Sequence, residues 1–249
     1  LTSLAGGAAT SIYWRPRDRA AATAPAHVWG AEVTERFPVR ENGAWFWIDF
    51  SAGYSSGIFL DQRLNRRWVG ENVRPGERIL NTFAYTGGFS VMAALAGAET
   101  TTADLSKTYL NWTWDNFTLN GLDPKDHHGV KGDVFEWLRT FARQGRTFHG
   151  IVLDPPYDGF ANVYSDGTEI FSQVAKWAVD HGQDPRLRIA LCGYDGSFTA
   201  PDGWETVEWK ANGGYGNTSG NMNAHKERIW FSPACLKVNR PQQRSLFGP

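Results

Sequence analysis

The chain has 249 residues, enough for one large α/β domain or for one domain with a small appendage. Apolar residues make up 41% and charged residues 20%, a balance that is typical of folded globular proteins and excludes a disordered chain. The formal net charge of −1 excludes a globally basic nucleic-acid-binding protein, although Arg and Lys cluster locally. Two distant cysteines, Cys192 and Cys235, favour a cytoplasmic location and supply no zinc ligand set.

The sequence contains no run near the roughly 20 apolar residues of a membrane span and begins with no apolar signal segment. We therefore expect neither a membrane partner nor a metal. Because residue 1 is Leu rather than Met, the sequence is compatible with a piece of a longer protein. It gives no indication of oligomeric state.

The first 60 residues predict an N-terminal extension. Residues 1–30 are rich in Ala, Gly, Pro and Thr and predict an extended or loosely ordered arm. Alternating runs on both sides of Glu41-Asn42-Gly43 predict a β-hairpin, because Asn-Gly is favoured in tight hairpin turns. Asp61 then marks the start of a helix. We therefore expect an arm and hairpin over 1–60, a main domain over 61–236 and a tail over 237–249.

In the main domain, short apolar strands alternate with helices, which predicts an α/β fold with a mostly parallel sheet. The predicted strands cover 78–83, 100–103, 129–131, 150–153, 188–192, 205–210 and 228–232. The last two are separated by a Gly- and Asn-rich segment without a clear helix, which predicts an antiparallel strand at that end. The expected fold is a Rossmann-like, seven-stranded sheet with helices on both faces.

Four predicted strands end at residues suited to S-adenosyl-L-methionine (SAM). In an open α/β sheet, ligands bind outside the carboxyl ends of the strands. Gly87 and Gly88 allow a tight turn whose helix start presents N–H groups to a carboxylate. Asp104 is placed to accept both ribose hydroxyl protons, and Asp133 to accept from the adenine amino group. Each feature alone is more often structural, but the set favours SAM, and neither G-x-G-x-x-G nor a P-loop is present.

Asp154-Pro155-Pro156-Tyr157 follows the fourth of these strands and predicts the reaction centre. The exocyclic amine of a base is a poor nucleophile until its two amino protons are held by acceptors. The Asp154 carboxylate and the Pro155 carbonyl supply such a pair, because the Pro-Pro bend is rigid and has no N–H. Tyr157 offers a ring on which a base taken out of its stack can lie.

Residues from about 28 to 156 resemble the class I SAM-dependent methyltransferases of large-subunit ribosomal RNA that make 5-methylcytosine or N2-methylguanine. The resemblance is carried by Gly57 to Arg63, Asn81 to Ser90, Asp104-Leu105-Ser106, Gly132-Asp133 and Asp154-Pro155-Pro156. It implies that Gln62, Arg63, Phe83, Tyr85, Asp104 and Asp133 bind the cofactor. The full expected cofactor set is Gln62, Arg63, Asn81, Phe83, Tyr85, Thr86, Gly87, Gly88, Asp104, Leu105, Asp133 and Asp154.

Residues from 154 to about 236 instead resemble phage-type DNA adenine-N6 methylases. Here the matching segments are Asp154 to Tyr157, Arg188 to Tyr194, Trp209 to Gly214 and Glu227 to Pro233. This resemblance implies a DNA substrate. Tyr194, Lys226 and Arg228 are weaker candidates for substrate contact, the last two because they lie beside the Gly- and Asn-rich loop 213–223. The two resemblances agree on SAM and on a nucleobase but differ in the nucleic acid.

The primary interpretation is therefore methylation of an exocyclic amine, adenine N6 in DNA, with DNA or ribosomal RNA as the substrate partner. One alternative is ribosomal RNA methylation at cytosine C5 or guanine N2, in which Cys192 attacks the base as a thiolate in the C5 case. A buried strand Cys is, however, more often a small hydrophobe. Two further alternatives are a non-catalytic nucleic-acid-binding module and a protein-amide methylase, although the latter favours Asn where this chain has Asp154.

Overall fold

The computed structural model describes residues 11–14, 25–52, 56–155, 167–209 and 227–235. Two small antiparallel sheets precede the main sheet: β1 (Ser11–Trp14) pairs with β2 (Ala26–Gly30), and β3 (Phe37–Glu41) pairs with β4 (Ala44–Ile48). In these two segments the arm predicted over 1–30 as extended or loosely ordered is extended, and its strands pair with each other, which was not predicted. Their β-branched and aromatic residues favour strand pairing despite the surrounding composition.

The second pair confirms the predicted hairpin. Asn42 and Gly43 both have positive φ angles, 51° and 89°, which a two-residue turn between right-twisted strands requires. The inward side chains Ala44 and Phe46 are fully buried against two helices, Gly88–Leu95 and Lys107–Leu119. The hairpin therefore shares a buried cluster with two helices of the main domain, and the domain boundary expected at residue 60 stays a prediction.

Seven strands form the main sheet, and helices lie between most of them. The strands are β5 (Arg78–Thr82), β6 (Glu99–Asp104), β7 (His128–Lys131), β8 (Gly150–Leu153), β9 (Ile189–Tyr194), β10 (Glu205–Trp209) and β11 (Glu227–Phe231). The helices are α1 (Arg63–Asn72), α2 (Gly88–Leu95), α3 (Lys107–Leu119), α4 (Val134–Arg143) and α5 (Gly167–His181). A short 3-10 turn, Leu60–Gln62, leads into α1.

The strand order is β10-β11-β9-β8-β5-β6-β7. From β9 to β7 all neighbours are parallel, whereas β11 runs antiparallel to both β9 and β10. One buried cluster joins α4 and α5 to the sheet, and another joins α1 and α2 to β5 and β8. The predicted Rossmann-like architecture, with helices on both faces and an antiparallel strand near one end, is confirmed.

This order sets the place of the site. Strand β5 is followed by β6 on one side, and its other neighbour is β8, so the connections diverge between β5 and β8. The carboxyl ends of these parallel strands lie along one edge of the sheet, which is where open α/β sheets bind ligands.

Among the described helices, none is long and apolar enough to cross a bilayer.

Candidate active site

A cavity of about 260 Å³ lies at the carboxyl ends of the central strands. Most of the residues expected from the sequence line it: Gln62, Asn81, Phe83, Tyr85, Thr86, Gly88, Asp104, Leu105, Asp133, Asp154, Pro155 and Tyr194. Arg63, Gly87, Cys192 and Arg228 do not line it. Pro156, Tyr157 and Lys226 lie outside the described residues.

The loop after β5 adopts an unusual backbone that fits this position. Phe83 and Tyr85 have positive φ angles of 52° and 50°, which non-glycine residues adopt at a cost of about 1–3 kcal/mol each. The turn aims the Tyr85 N–H at Oδ2 of Asp104, at 2.8 Å. Thr86 donates to the Gly57 carbonyl, and Asn116 donates to the Thr86 carbonyl at 2.9 Å. These hydrogen bonds from surrounding residues stabilise the strained backbone of the loop.

Asp104 is fixed by two backbone donors. Besides the Tyr85 bond, its Oδ1 accepts from the Ser106 N–H at 2.8 Å. Burial raises the pKa of the Asp104 carboxyl above its ordinary 3.8, and the two backbone hydrogen bonds oppose this rise. Because each carboxylate oxygen can accept more than one hydrogen bond, Asp104 can also accept from the two hydroxyls of a ribose.

The wall beside Asp104 suits a purine. Phe83, Leu105 and Phe135 line it with apolar surface. Asp133 begins α4, where its Oδ1 accepts from the Glu136 N–H at 3.0 Å, and its side chain is exposed at the cavity rim. A purine amino group can donate to the carboxylate that caps this helix. These residue types fit the nucleoside part of SAM.

Asp154 stands at the end of β8, on the other side of the cavity. Gln62 donates from Nε2 to Asp154 Oδ1 at 3.4 Å, and Asn65 donates to the Gln62 amide oxygen at 2.7 Å. The second bond sets the orientation of the Gln62 amide, so that its N–H faces Asp154. The next residue, Pro155, is buried and lines the same cavity.

Arg63 is the clearest departure from the expected cofactor set, because its side chain is exposed and points away from the cavity. The physical reason is helical periodicity. Residues 62 and 66 lie four apart and share a face of α1, whereas residue 63 is rotated about 100° away. Gln62, Arg66 and Val69 are the buried positions, so Arg66 takes the place expected for Arg63.

Two other expected residues have structural surroundings instead. Gly87 has a φ of 76° and forms the turn before α2 without reaching the cavity. The guanidinium of Arg228 forms ion pairs with Asp195 at 3.2 Å and Glu208 at 3.7 Å. These carboxylates offset the charge that a contact with a nucleic-acid phosphate would use.

Cys192 is buried in an apolar cluster with Ile229 and Phe231. Burial raises the pKa of its thiol well above the ordinary value, and the negative charge of Asp154 raises it further. The thiol is therefore neutral near pH 7, in contrast to the thiolate that attack on a pyrimidine ring requires.

Several cavity residues were missed by sequence reasoning: Ile58, Phe59, Asp61, Arg66, Ala84, Phe89, Tyr109, Val134, Phe135, Ile170 and Glu227. Helical periodicity from Gln62 could have indicated Arg66. Glu227 needs the sheet order, since it reaches the cavity by pairing opposite Tyr194 on β9. Tyr109 packs edge-on against Tyr85 with ring centroids 4.6 Å apart, a contact between distant segments that no local pattern shows.

Comparisons with known proteins agree with this geometry. The model of the S-adenosylmethionine-dependent methyltransferase family matches residues 7–180. A ribosomal RNA large subunit methyltransferase K of Neisseria meningitidis is 45% identical over 135 residues, which are 54% of this chain and 38% of that protein. The chain thus matches well under half of the length of this relative.

Solved structures show the same fold. A protein of Streptococcus mutans described as a SAM-dependent methyltransferase aligns with a TM-score of 0.67 at 25% identity, over 83% of this chain and 57% of that one. A methyltransferase solved with S-adenosylhomocysteine (SAH) aligns with a TM-score of 0.66 at 22% identity, over 83% and 58% of the two chains. Since the family model covers more than half of the sequence, the chain belongs to the S-adenosylmethionine-dependent methyltransferases, enzymes whose cofactor is SAM.

Proposed function

We propose that this enzyme transfers the methyl group of SAM to a nitrogen atom of a guanine base in large-subunit ribosomal RNA. The observation that carries the proposal is the contrast between two side chains near the cavity. The Asp154 carboxylate lines the cavity that also holds Asp104 and Asp133, whereas the Cys192 thiol is buried outside it. The name and 45% identity of the Neisseria meningitidis relative support the ribosomal substrate.

The chemistry of Asp154 favours a nitrogen over a carbon target. Guanine presents N–H donors at N1 and N2 on its Watson–Crick edge, and a base splayed out of RNA exposes that edge. Asp154 and the Pro155 carbonyl are acceptors only, so they complement these donors. Methylation at cytosine C5 would need a thiolate, and the raised pKa of Cys192 argues against one.

Adenine N6 in DNA, expected first from the sequence, now has less support than the ribosomal substrate. Its resemblance depends in part on Tyr157 and residues 210–214, all outside the described part of the chain. The relative named above has ribosomal RNA in its name. The division into an extension over 1–60, a methyltransferase domain over 61–236 and a tail over 237–249 remains part of this proposal.

Methyl transfer from labelled SAM tests the proposal. The enzyme is incubated with an unmodified transcript of large-subunit ribosomal RNA and, separately, with unmethylated DNA, and the products are digested to nucleosides. We expect a methylguanosine from RNA that disappears with Asp154→Ala. Chromatography separates N2-methylguanosine from its 7-methyl isomer, and either supports the nitrogen target. 5-Methylcytidine in RNA or N6-methyladenine in DNA would overturn it.

The same experiment, together with a calorimetric titration of the protein with SAM, tests the non-catalytic alternative. A nucleic-acid-binding module on a disused scaffold would give no methylated nucleoside and no heat on titration with SAM. An enzyme that binds SAM yet methylates neither substrate would contradict the proposed target and leave the family assignment intact.

A further inference from the structure

Arg66 is a buried cation that lines the cavity and was not expected there. Its side chain, on α1, is 4% exposed, and its partner Glu41 at the end of β3 is 7% exposed. Nε donates to Glu41 Oε1 at 2.8 Å, and Nη2 donates to Glu41 Oε2 at 3.0 Å and to the Phe59 carbonyl at 2.8 Å. This two-bond pairing fixes the plane of the guanidinium.

The third guanidinium nitrogen, Nη1, makes no hydrogen bond to any described residue. The side chain runs past Gly88, the first residue of α2: a Cβ at Gly88 would lie 2.9 Å from Arg66 Cδ and 3.8 Å from Nη1. The free N–H groups at a helix start favour an anion. A guanidinium donor and a helix N-terminus therefore lie side by side in one wall of the cavity.

We propose that Arg66 binds the α-carboxylate of SAM through Nη1 and that Glu41 holds the guanidinium in place for this contact. Arg is suited to the task because it remains charged when buried and can bond several acceptors in one plane. Asp61 lines the same cavity and supplies a carboxylate for the α-ammonium of the cofactor. Arg66 and Asp61 thus complement the negative α-carboxylate and the positive α-ammonium of the methionine part of SAM.

Glu41 makes the β3–β4 hairpin a part of the cofactor site. Glu41 belongs to the hairpin, whereas Arg66 and Gly88 belong to the helices that flank β5. The hairpin thus positions a cofactor ligand in addition to covering the core. This inference rests on the cofactor of the family and not on the proposed RNA substrate, so the two can fail separately.

The test compares SAM with decarboxylated SAM, which lacks only the carboxylate, as ligands in calorimetric titrations. The main variant is Arg66→Met with Glu41→Leu, because removing both partners leaves no unpaired buried charge. In the wild-type protein we expect SAM to bind about 10- to 100-fold more tightly than decarboxylated SAM. In the double variant we expect that ratio to be smaller by about tenfold. An unchanged ratio, with both affinities lowered equally, would overturn the proposal.

The control is Arg67→Met, since Arg67 lies on the same helix, is exposed and pairs with Glu71. It should keep the wild-type ratio, and a reduced ratio in this variant would contradict a specific contact by Arg66. If the double variant does not fold, Arg66→Lys replaces it. Lys keeps the charge but cannot reach Glu41, the Phe59 carbonyl and the cofactor together, so the ratio should again fall. A wild-type ratio in Arg66→Lys would count against the contact.

Discussion

The two edges of the cavity are built in different ways. The loop after β5, residues 83–87, is held by hydrogen bonds from Tyr85 to Asp104 and from Thr86 to Gly57, with left-handed backbone at two non-glycine residues. On the opposite edge, β9 and β11 pack through apolar side chains such as Cys192 and Ile229 and reach the cavity at Tyr194 and Glu227. The loop depends on particular residues, whereas the strand pair tolerates exchange of similar apolar ones.

This difference predicts that substitutions at the first edge lower cofactor affinity, whereas buried substitutions at the second edge change stability only slightly. The largest effect is expected at Gly87. A Cβ there would lie 2.3 Å from Thr113 Cγ2 and would also need the left-handed φ of 76°. We expect Gly87→Ala to lower the free energy of unfolding by about 3 kcal/mol and to weaken SAM binding.

Gly121→Ala is the matched control for Gly87→Ala. Gly121 has a similar φ of 72°, but beyond Gly121 and its two chain neighbours no atom of the described residues lies within 4 Å of the position that a Cβ would take there. It should lose only about 1 kcal/mol of stability and bind SAM normally. Denaturant unfolding measures the free energy of unfolding of both variants. An equal loss of that free energy in Gly87→Ala and Gly121→Ala would show that the contact with Thr113 does not affect stability.

Asp104 should show a smaller effect that depends on pH. Asp104→Asn keeps the shape but replaces one of the two acceptor oxygens by an NH2 donor, so that either the Tyr85 or the Ser106 N–H loses its acceptor. SAM affinity should therefore fall about tenfold. In the wild type, the ionised carboxyl binds, and burial raises its pKa above 3.8. Affinity is therefore full above that raised pKa and declines as the pH falls through it.

Titration calorimetry over a pH series measures this decline. The SAM affinity of the wild type should begin to fall at a higher pH than it would if Asp104 had the pKa of an ordinary Asp. The Asp104→Asn variant should lack the part of the decline that comes from protonation of Asp104. A wild-type affinity that stays constant down to the ordinary carboxyl range would contradict a direct role for Asp104.

Cys192 should show the smallest effect. Because Cys192 is 4% exposed in an apolar cluster, Cys192→Ala removes only the contacts of one sulfur atom, at about 1 kcal/mol of stability. Methyl transfer should stay within about twofold of wild type, since a neutral thiol takes no part in it. Loss of transfer in a variant that still folds and binds SAM would restore the C5 mechanism.

More of the cavity-lining residues on the first edge than on the second could be predicted from the sequence, for a physical reason. Asp104 is the last residue of β6 and Asp133 comes two residues after β7, and parallel strands end at a common edge, so local position was sufficient. Arg63 was expected in the cavity because the resemblance to ribosomal RNA methyltransferases implied it, yet Gln62 and Arg63 are neighbours at the start of a helix and face different directions. Helical periodicity from Gln62 indicates Arg66, but its pairing with the distant Glu41 is visible only in the structure. Identifying Glu227 required the pairing of β11 with β9.

In the N-terminal segment, too, local sequence predicts a tight hairpin but not the pairing of segments that are far apart in the chain. Asn42-Gly43 is a strong local turn signal, so the β3–β4 hairpin was predictable. The β1–β2 pair is not joined by a short turn, because 11 residues separate its strands, and composition alone suggested a loose arm. Pairing between such segments depends on contacts such as Tyr13 with Phe50, whose ring centroids lie 4.6 Å apart.

The most direct measurement of the central claim separates cofactor binding from methyl transfer at Asp154. The affinity for SAM and the single-turnover rate on large-subunit ribosomal RNA are measured for the wild type and for Asp154→Ala. Because Asp154 is proposed to hold the base, we expect transfer to fall about 100-fold or more while SAM affinity changes by less than about threefold. Transfer at the wild-type rate, or an equal loss of binding and transfer, would contradict the account.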